Sequence, residues 1–289
     1  MVDPMPKTYN ELYIGLRRRL KDAGVEASML EAALLVAHAA GKSHAKLMAD
    51  LRLYSSPEIE SRVEAFAQRR LAGEPAAYII GSWSFCGLEL KVDENVLVPR
   101  ADTEVLVETA LNLSGKSDSE LRILDLCTGS GCIGCALAHF LPNSRAVLAD
   151  VSPAALRIAR ENVQRCGLGV RALCVEADAL SLPSPRLGSF DLIACNPPYV
   201  PAGEIPTLDV SVRAYEPRLA LDGGDDGLKF YRAIVGGWKS LLRPGGWMIF
   251  EVGETQADEV EKLMRLGGLH AIGRTKDSAG YDRVLYGRI

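Results

Sequence analysis

The spacing of apolar and polar positions changes character twice along the chain. Over residues 1–75 apolar positions recur at helical intervals, accompanied by helix-start signals. Thr8-x-x-Glu11 and Ser28-x-x-Glu31 match the capping box, in which hydroxyl and carboxylate satisfy orphan backbone N–H groups reciprocally. Ser56-Pro57 sets a cap before a proline at the first helical position, and a helix from there would turn Ile59, Val63, Phe66 and Leu71 inward. Four or five short helices packed as a bundle are expected. From Tyr78 to Val98 the period shortens to alternation, with Cys86-Gly87 as a turn between Ser82–Phe85 and Leu88–Val92. Strand then alternates with helix: Arg122–Leu126, a helix to His139, Arg145–Ala149, a helix over Pro153–Cys166, Arg171–Glu176 and Phe190–Cys195. A helix over Gly227–Leu242, a strand at Trp247–Val252, a helix over Gln256–Leu266 and a last strand near Arg283–Tyr286 follow. Such succession predicts a mostly parallel sheet covered on both faces.

Two of the turns in this second region carry chemistry. The first strand runs into Asp125-Leu126-Cys127-Thr128-Gly129-Ser130-Gly131-Cys132-Ile133-Gly134, a G-x-G-x-x-G between strand and helix. Glycines there let a ligand approach the backbone, and Asp150, ending the second strand, is placed to accept hydrogen bonds from ribose hydroxyls. A nicotinamide or flavin dinucleotide is one reading. S-adenosylmethionine is favoured over it, because the Asp125 carboxylate would face a pyrophosphate unfavourably yet suits the ammonium of a methionine moiety. Asp178, at the end of the third strand, is either an acceptor for an adenine amino group or a plain turn residue.

The fourth strand ends in Asn196-Pro197-Pro198-Tyr199. Proline lacks a backbone N–H and holds the preceding residue extended, so the sheet stops and carbonyls are left free. Asn196 Oδ1 and the Pro197 carbonyl are then two acceptors suited to a planar –NH2 group, with Tyr199 available to stack on its plane. The same tetrapeptide is also an ordinary turn signal. At the carboxyl edge of an open α/β sheet, an acceptor amine or amide would meet the ligand of the glycine turn.

Composition narrows the surroundings of this chemistry. An apolar fraction of 48% and a charged fraction of 24% suit a soluble globular protein, and a net charge of −4 gives no general duplex-binding surface. Arg17-Arg18-Arg19 with Lys21 reads as a solvated helix face. The seven cysteines are scattered and odd in number, as reduced thiols of a cytoplasmic protein would be. Cys132-x-x-Cys135 has no second pair and the four histidines show no ligand spacing, so no metal is expected. Ala32–Ala37 is too short to span a bilayer, and Asp3 stands where a signal peptide would carry basic charge.

With these residues in view the chain resembles the amino-methyltransferases, and within them the HemK/PrmC family, which methylates a glutamine side-chain amide in class I peptide chain release factors. The resemblance rests on Asn196–Tyr199 and on four further segments. They are Arg70-x-x-Gly73-Glu74-Pro75-x-x-Tyr78-x-x-Gly81, Val98-Pro99-Arg100-x-Asp102-Thr103-Glu104, Tyr215-Glu216-Pro217-x-x-Ala220-Leu221-x-Gly223-Gly224-x-Asp226-Gly227-Leu228, and Asp277-x-x-Gly280-x-Asp282-Arg283. The family usually has proline where Ala101 stands and Glu-Phe-Trp-Gly or similar in place of Ser84-Phe85-Cys86-Gly87, departures confined to the hairpin and its exit.

The resemblance implies an α/β fold, with a Rossmann-like seven-stranded S-adenosylmethionine-dependent methyltransferase domain whose last strand is antiparallel. It divides the chain into an N-terminal helical bundle over 1–76 that docks the protein substrate, a β-hairpin linker over 77–98 and the catalytic domain over 99–289. It implies that Cys127, Thr128, Gly129, Ser130 and Gly131, with Asp150, Ala179 and Asn196, line the cofactor site, beside Asp125 and Asp178. Asn196 and Pro197 would be catalytic, and Asn196, Pro197, Pro198 and Tyr199 would hold the glutamine of the Gly-Gly-Gln loop. The expected protein is a cytoplasmic monomer whose partners are class I release factors, with no direct nucleic-acid or membrane binding. The competing reading is an N6-adenine or other nucleic-acid amino-methyltransferase using the same four residues on a flipped base. Such an enzyme needs a basic target-recognition region, and the ninety residues after Tyr199 are consumed in finishing the sheet.

Overall fold

A computed structural model of the chain describes residues 6–115 and 120–289; Asp3 lies outside them. The elements run α1 (Tyr9–Asp22), α2 (Ser28–Ala39), α3 (His44–Ala49), α4 (Pro57–Leu71), α5 (Ala76–Ile80), β1 (Ser82–Phe85), β2 (Leu88–Lys91), α6 (Ala101–Ser114), β3 (Leu121–Leu126), α7 (Cys132–Phe140), β4 (Ser144–Asp150), α8 (Pro153–Arg165) and β5 (Ala172–Glu176). They continue with β6 (Phe190–Cys195), α9 (Val210–Arg213), α10 (Lys229–Gly237), β7 (Leu242–Glu251), α11 (Ala257–Leu266), β8 (His270–Lys276) and β9 (Asp282–Arg288). Two compact units result: residues through Gly81 with Asp209–Tyr215, and Ser82–Leu208 with Glu216–Ile289.

In the helical unit, Leu16, Leu20, Leu35, Val36, Leu47, Val63 and Ala67 form the core. Thr8 and Glu11 make the full capping box, Thr8 N–H donating to Glu11 Oε2 at 2.7 Å and Glu11 N–H to Thr8 Oγ1 at 3.2 Å. Ser28 does not cap: α2 begins on Ser28 itself after Ala27, and Glu31 is instead held by Arg70 Nε at 2.5 Å. That bidentate guanidinium is a stronger partner for a carboxylate than a neutral backbone N–H. Leu71 is also not inward. It closes α4 with 36% exposure, past the cluster that Val63 and Ala67 enter. Tyr215 Oη donates to the Ala72 carbonyl at 3.2 Å, tying the segment around α9 into this unit.

The second unit carries a seven-stranded sheet in the order β5-β4-β3-β6-β7-β9-β8, with β9 antiparallel to both neighbours and the others parallel. Alternate residues enter opposite faces, so Leu124 and Leu126 meet one apolar layer with Phe230, Ile234 and Trp238 of the following elements, while Ile123 meets the other with α6 and α7. The hairpin β1–β2 belongs to this unit. Lys91 N–H donates to Asn162 Oδ1 at 2.7 Å, and Asn162 Nδ2 returns bonds to the Lys91 and Ser130 carbonyls. The chain order reverses between β3 and β6, and Leu126 pairs with Cys195 in register. The residues following both strands therefore emerge side by side at the switch point, where open α/β sheets bind ligands.

One difference from the sequence reading has a local cause. The helix expected to reach Leu242 stops at Gly237, after two successive glycines, and a 3-10 turn over Trp238–Leu241 leads into β7. Ala101 takes the first position of α6, where proline would be equally at home. Cys86 and Gly87 both adopt positive φ, +48° and +75°, and the Cys86 N–H is anchored by Glu104 Oε1 at 2.7 Å.

Candidate active site

The switch point opens into a cleft enclosing about 900 Å³, part of it open to solvent. Cys127, Thr128, Gly129 and Ser130 form its floor after β3, Asp150–Ser152 follow β4, Ala177–Ala179 follow β5, and Asn196 and Pro198 follow β6. Asn95–Leu97, Pro99, Pro217, Leu219, Ala220 and Phe230 add to the wall. These last residues were not singled out individually from the sequence, although several lie in the segments that carry the family resemblance. The two charged residues in the wall, Asp150 and Asp178, are both acidic.

Each sequence-predicted residue has a definite place. Asp150 braces the glycine turn, its Oδ2 accepting from Gly129 N–H at 2.8 Å and its Oδ1 from Ser152 N–H at 2.9 Å. Burial raises its pKa against those bonds. Cys127 holds a positive φ of +60°, uncommon for a residue with a side chain, at the point where β3 turns into the cleft. Ser130 is buried, and its Oγ has no hydrogen-bond partner. Asp178 stands in the wall while bonding locally, to Leu180 N–H and to Ser181 Oγ, both at 2.9 Å. Ala179 lies beside it, its carbonyl held by Trp238 Nε1 at 3.1 Å.

Asp125 is placed differently from the expectation. It is fully buried beneath the turn rather than in the wall, because residue 125 shares the face of β3 that packs on α7. Its Oδ2 accepts from the Thr128 hydroxyl and, at 2.8 Å, from Gly134 N–H, while its Oδ1 has no partner. Burial lifts the carboxyl to about 7. A Cβ at Gly134 would lie 2.7 Å from Leu148 Cγ and 3.0 Å from Asp125 Oδ2, which explains the glycine there. Gly131 likewise stands behind the wall, as the N-cap of α7.

The four residues after β6 divide between cleft and interior. Asn196 is half-buried, and its Nδ2 donates to Thr103 Oγ1 at 3.3 Å, which leaves Oδ1 uncommitted. Among the described residues no backbone N–H bonds to the Pro197 carbonyl, whereas the Tyr199 carbonyl accepts from Gln256 Nε2 at 2.8 Å. Tyr199 is not in the wall: its ring packs against the core and its hydroxyl donates inward to Glu251 Oε1 at 3.3 Å. Sequence reasoning missed Glu251 entirely. It is buried, its Oε2 makes no hydrogen bond, and burial lifts its carboxyl to about 7, with Thr103, Arg283 and Tyr199 pulling the other way.

Residues 11–81 match the PrmC N-terminal domain model and residues 101–211 the methyltransferase small domain model. Release factor glutamine methyltransferases of Moorella thermoacetica and Geobacter sulfurreducens are each 41% identical to this chain, over 92% and 94% of it and 93% and 94% of themselves. The chain belongs to the release factor glutamine methyltransferase family. The hMettl16 catalytic domain, solved in complex with a MAT2A 3'UTR hairpin, shares the fold with a TM-score of 0.57 at 17% identity, covering 80% of this chain and 81% of that one.

The family segments acquire physical roles. Arg100 Nη2 bonds both carboxylate oxygens of buried Glu216 at 2.7 Å, joining the start of α6 to the loop that supplies Pro217 and Leu219 to the wall. A Cβ at Gly227 would sit 2.3 Å from the Tyr199 carbonyl oxygen and 2.4 Å from Gln256 Nε2, so the family's glycine-rich segment is the cradle of the Asn-Pro-Pro-Tyr backbone. Arg283 is buried, bonding Asp277 Oδ2 at 3.1 Å and the Val252 carbonyl at 3.1 Å beside Glu251. Among the described residues no group of three or more His, Cys, Asp or Glu is arranged to hold a metal, and no helix is long and apolar enough to cross a membrane.

Proposed function

We propose that this protein transfers a methyl group from S-adenosylmethionine to the side-chain amide nitrogen (N5) of the glutamine in the Gly-Gly-Gln loop of class I peptide chain release factors. The observation that carries the reading is the state of Asn196. Its Nδ2 is committed to Thr103, so what it offers the cleft is an acceptor, next to the free Pro197 carbonyl. Two adjacent acceptors match the two N–H groups of a primary amide.

The cleft fits the cofactor. Its wall combines apolar groups with two carboxylates and no cation, which suits a sulfonium, an ammonium and ribose hydroxyls and opposes a pyrophosphate. Ser130 Oγ and Asp125 Oδ1 are buried polar atoms in want of a partner at the same turn. Cys127–Ser130, Asp150, Asp178, Ala179 and Asn196 would hold it, with Asp125 and Gly131 fixing the turn from behind. The cofactor supplies a methyl group on a sulfonium.

The chain's own part is to make an amide nitrogen nucleophilic. The lone pair of an amide is delocalised, as its rotational barrier of ~18–20 kcal/mol shows. Asn196 Oδ1 and the Pro197 carbonyl, each accepting one N–H, fix the nitrogen and stabilise positive charge building on it. The prolines keep both acceptors rigid. The methylated amide is so acidic that it sheds its proton to water unaided, so no tuned base is required. We assign docking of the release factor to the N-terminal helices, and the reaction to the cytoplasm where translation factors act. Asn196→Ala is expected to lower turnover at least ~10²-fold, the scale of losing one preorganised contact to developing charge, while cofactor binding is partly retained. Near-normal turnover of that variant in a methyl-transfer assay would sink the role of Asn196.

A further inference from the structure

The cleft wall that follows β5 is a turn tied down from behind. Ala177 N–H donates to the Asp150 carbonyl at 2.9 Å, extending the β4–β5 pairing by one bond. Beyond it the chain closes on Asp178. Ser181 N–H donates to the Asp178 carbonyl at 3.0 Å, and Leu180 N–H and the Ser181 hydroxyl donate to its carboxylate, both at 2.9 Å. The carbonyls of Ala179 and Ser181 turn instead to Trp238, whose single Nε1–H donates to both at 3.1 Å.

Trp238 itself does not line the cleft. It is 1% exposed, and its ring packs in the apolar layer with Leu124, Leu126 and Ile234. Gly237 before it keeps the approach close, since a Cβ there would lie 3.2 Å from Leu182 Cδ2. An indole has one polar group, its N–H, and when buried that group needs an acceptor. Here the acceptor is the back of the wall. The peptide between Ala179 and Leu180 is thereby fixed at both ends, its N–H by Asp178 and its carbonyl by Trp238. Without the indole donor the buried carbonyl is left unmet, which is costly, and the turn relieves it only by shifting from its place.

We propose that Trp238 is a positioning residue for the cofactor, holding the Asp178–Ser181 turn from behind where the wall meets the nucleoside end of S-adenosylmethionine. This rests on the cofactor reading of the cleft, in which Asp178 and Ala179 are contacts. The role lies in binding and not in transfer, because the acceptors Asn196 Oδ1 and the Pro197 carbonyl follow β6 and not β5. A displaced turn weakens S-adenosylmethionine and S-adenosylhomocysteine alike and leaves the step at saturating cofactor unchanged. Asn196→Ala is expected to do the reverse.

The test compares the full-length wild type with Trp238→Phe, and with the protein carrying benzothienylalanine at position 238, which keeps the indole's shape and replaces its N–H by sulfur. Methyl transfer to a release factor gives KM for S-adenosylmethionine and kcat, and titration gives Kd for S-adenosylhomocysteine and for 5′-methylthioadenosine, which lacks the amino-acid end. Both replacements are expected to raise KM and both Kd values roughly tenfold, the scale of leaving a buried acceptor unmet, with kcat at saturating cofactor within about twofold of wild type. Trp247→Phe serves as the control, since that ring packs edge-on against Tyr286 at 5.8 Å and outside the cleft wall; its KM should match wild type. A role confined to core packing would lower stability without this split between KM and kcat, and benzothienylalanine would then restore wild-type binding. Unchanged KM and Kd with benzothienylalanine, a loss in kcat alone, or an equal rise in KM for Trp247→Phe overturns the positioning role. If Trp238→Phe does not fold, the benzothienylalanine protein decides. A wild type that binds neither S-adenosylmethionine nor S-adenosylhomocysteine overturns the reading of the cleft, and this inference with it.

Discussion

Asn196 shows how one side chain acquires direction from its neighbours. A free asparagine amide can face either way, and only the bond from Nδ2 to Thr103 makes it an acceptor toward the cleft. Gly227 acts on the same turn through space alone: its φ is +72°, and any side chain there would collide with the Tyr199 carbonyl and displace the Gln256 bond. Gly227→Ala is expected to cost roughly 1–3 kcal/mol of stability and to reduce methyl transfer more than cofactor affinity. Chemical denaturation together with cofactor titration checks this, and equal stability with full turnover would contradict it. The motif residues were legible in the sequence because proline and glycine leave unmistakable backbone signatures. Glu251 was not, since nothing in the sequence distinguishes a strand-end Glu from a solvated one until β7 is laid beside β6. Asp125 was legible as a carboxylate at the turn, but its side of the strand, and hence its burial, depended on register.

At the scale of elements, the wall of the cleft is held by pairings between segments far apart in sequence. Arg100 before α6 and Glu216 before Pro217 are 116 positions apart, and the pair leaves Glu216 buried with a guanidinium on both oxygens. Arg100→Ala strands that carboxylate and is expected to lower stability by roughly 1–3 kcal/mol. Adding Glu216→Gln should recover part of the loss, and a double variant no better than the single one would contradict the pairing. Strong helix and strand patterns were readable, including α7, α8, β4 and β6 nearly to their ends. Among the elements that escaped are α6 and β8. The buried side of α6 includes Thr103 and Thr109, which blur its apolar stripe, and β8 is an edge strand of exposed and half-buried residues with no alternating signal. The seventh strand came from the family resemblance and not from the pattern.

For the whole molecule, the switch between β3 and β6 brings a glycine turn and an acceptor motif, 70 positions apart from Leu126 to Asn196, to one crevice. That convergence is what makes a methyltransferase of a Rossmann-like sheet, and neither turn would do so alone. The acidic wall predicts selectivity at this scale: S-adenosylmethionine at 100 times its Kd should stabilise the protein by about 2.7 kcal/mol, whereas NAD at the same concentration should leave Tm unchanged. An equal shift with NAD would contradict the reading of the cleft. The central claim is tested most directly by incubating the protein with methyl-labelled S-adenosylmethionine and a class I release factor, and repeating the reaction with the glutamine of the Gly-Gly-Gln loop changed to alanine. Label is expected on the first release factor and absent from the second; label that survives the change would contradict the account.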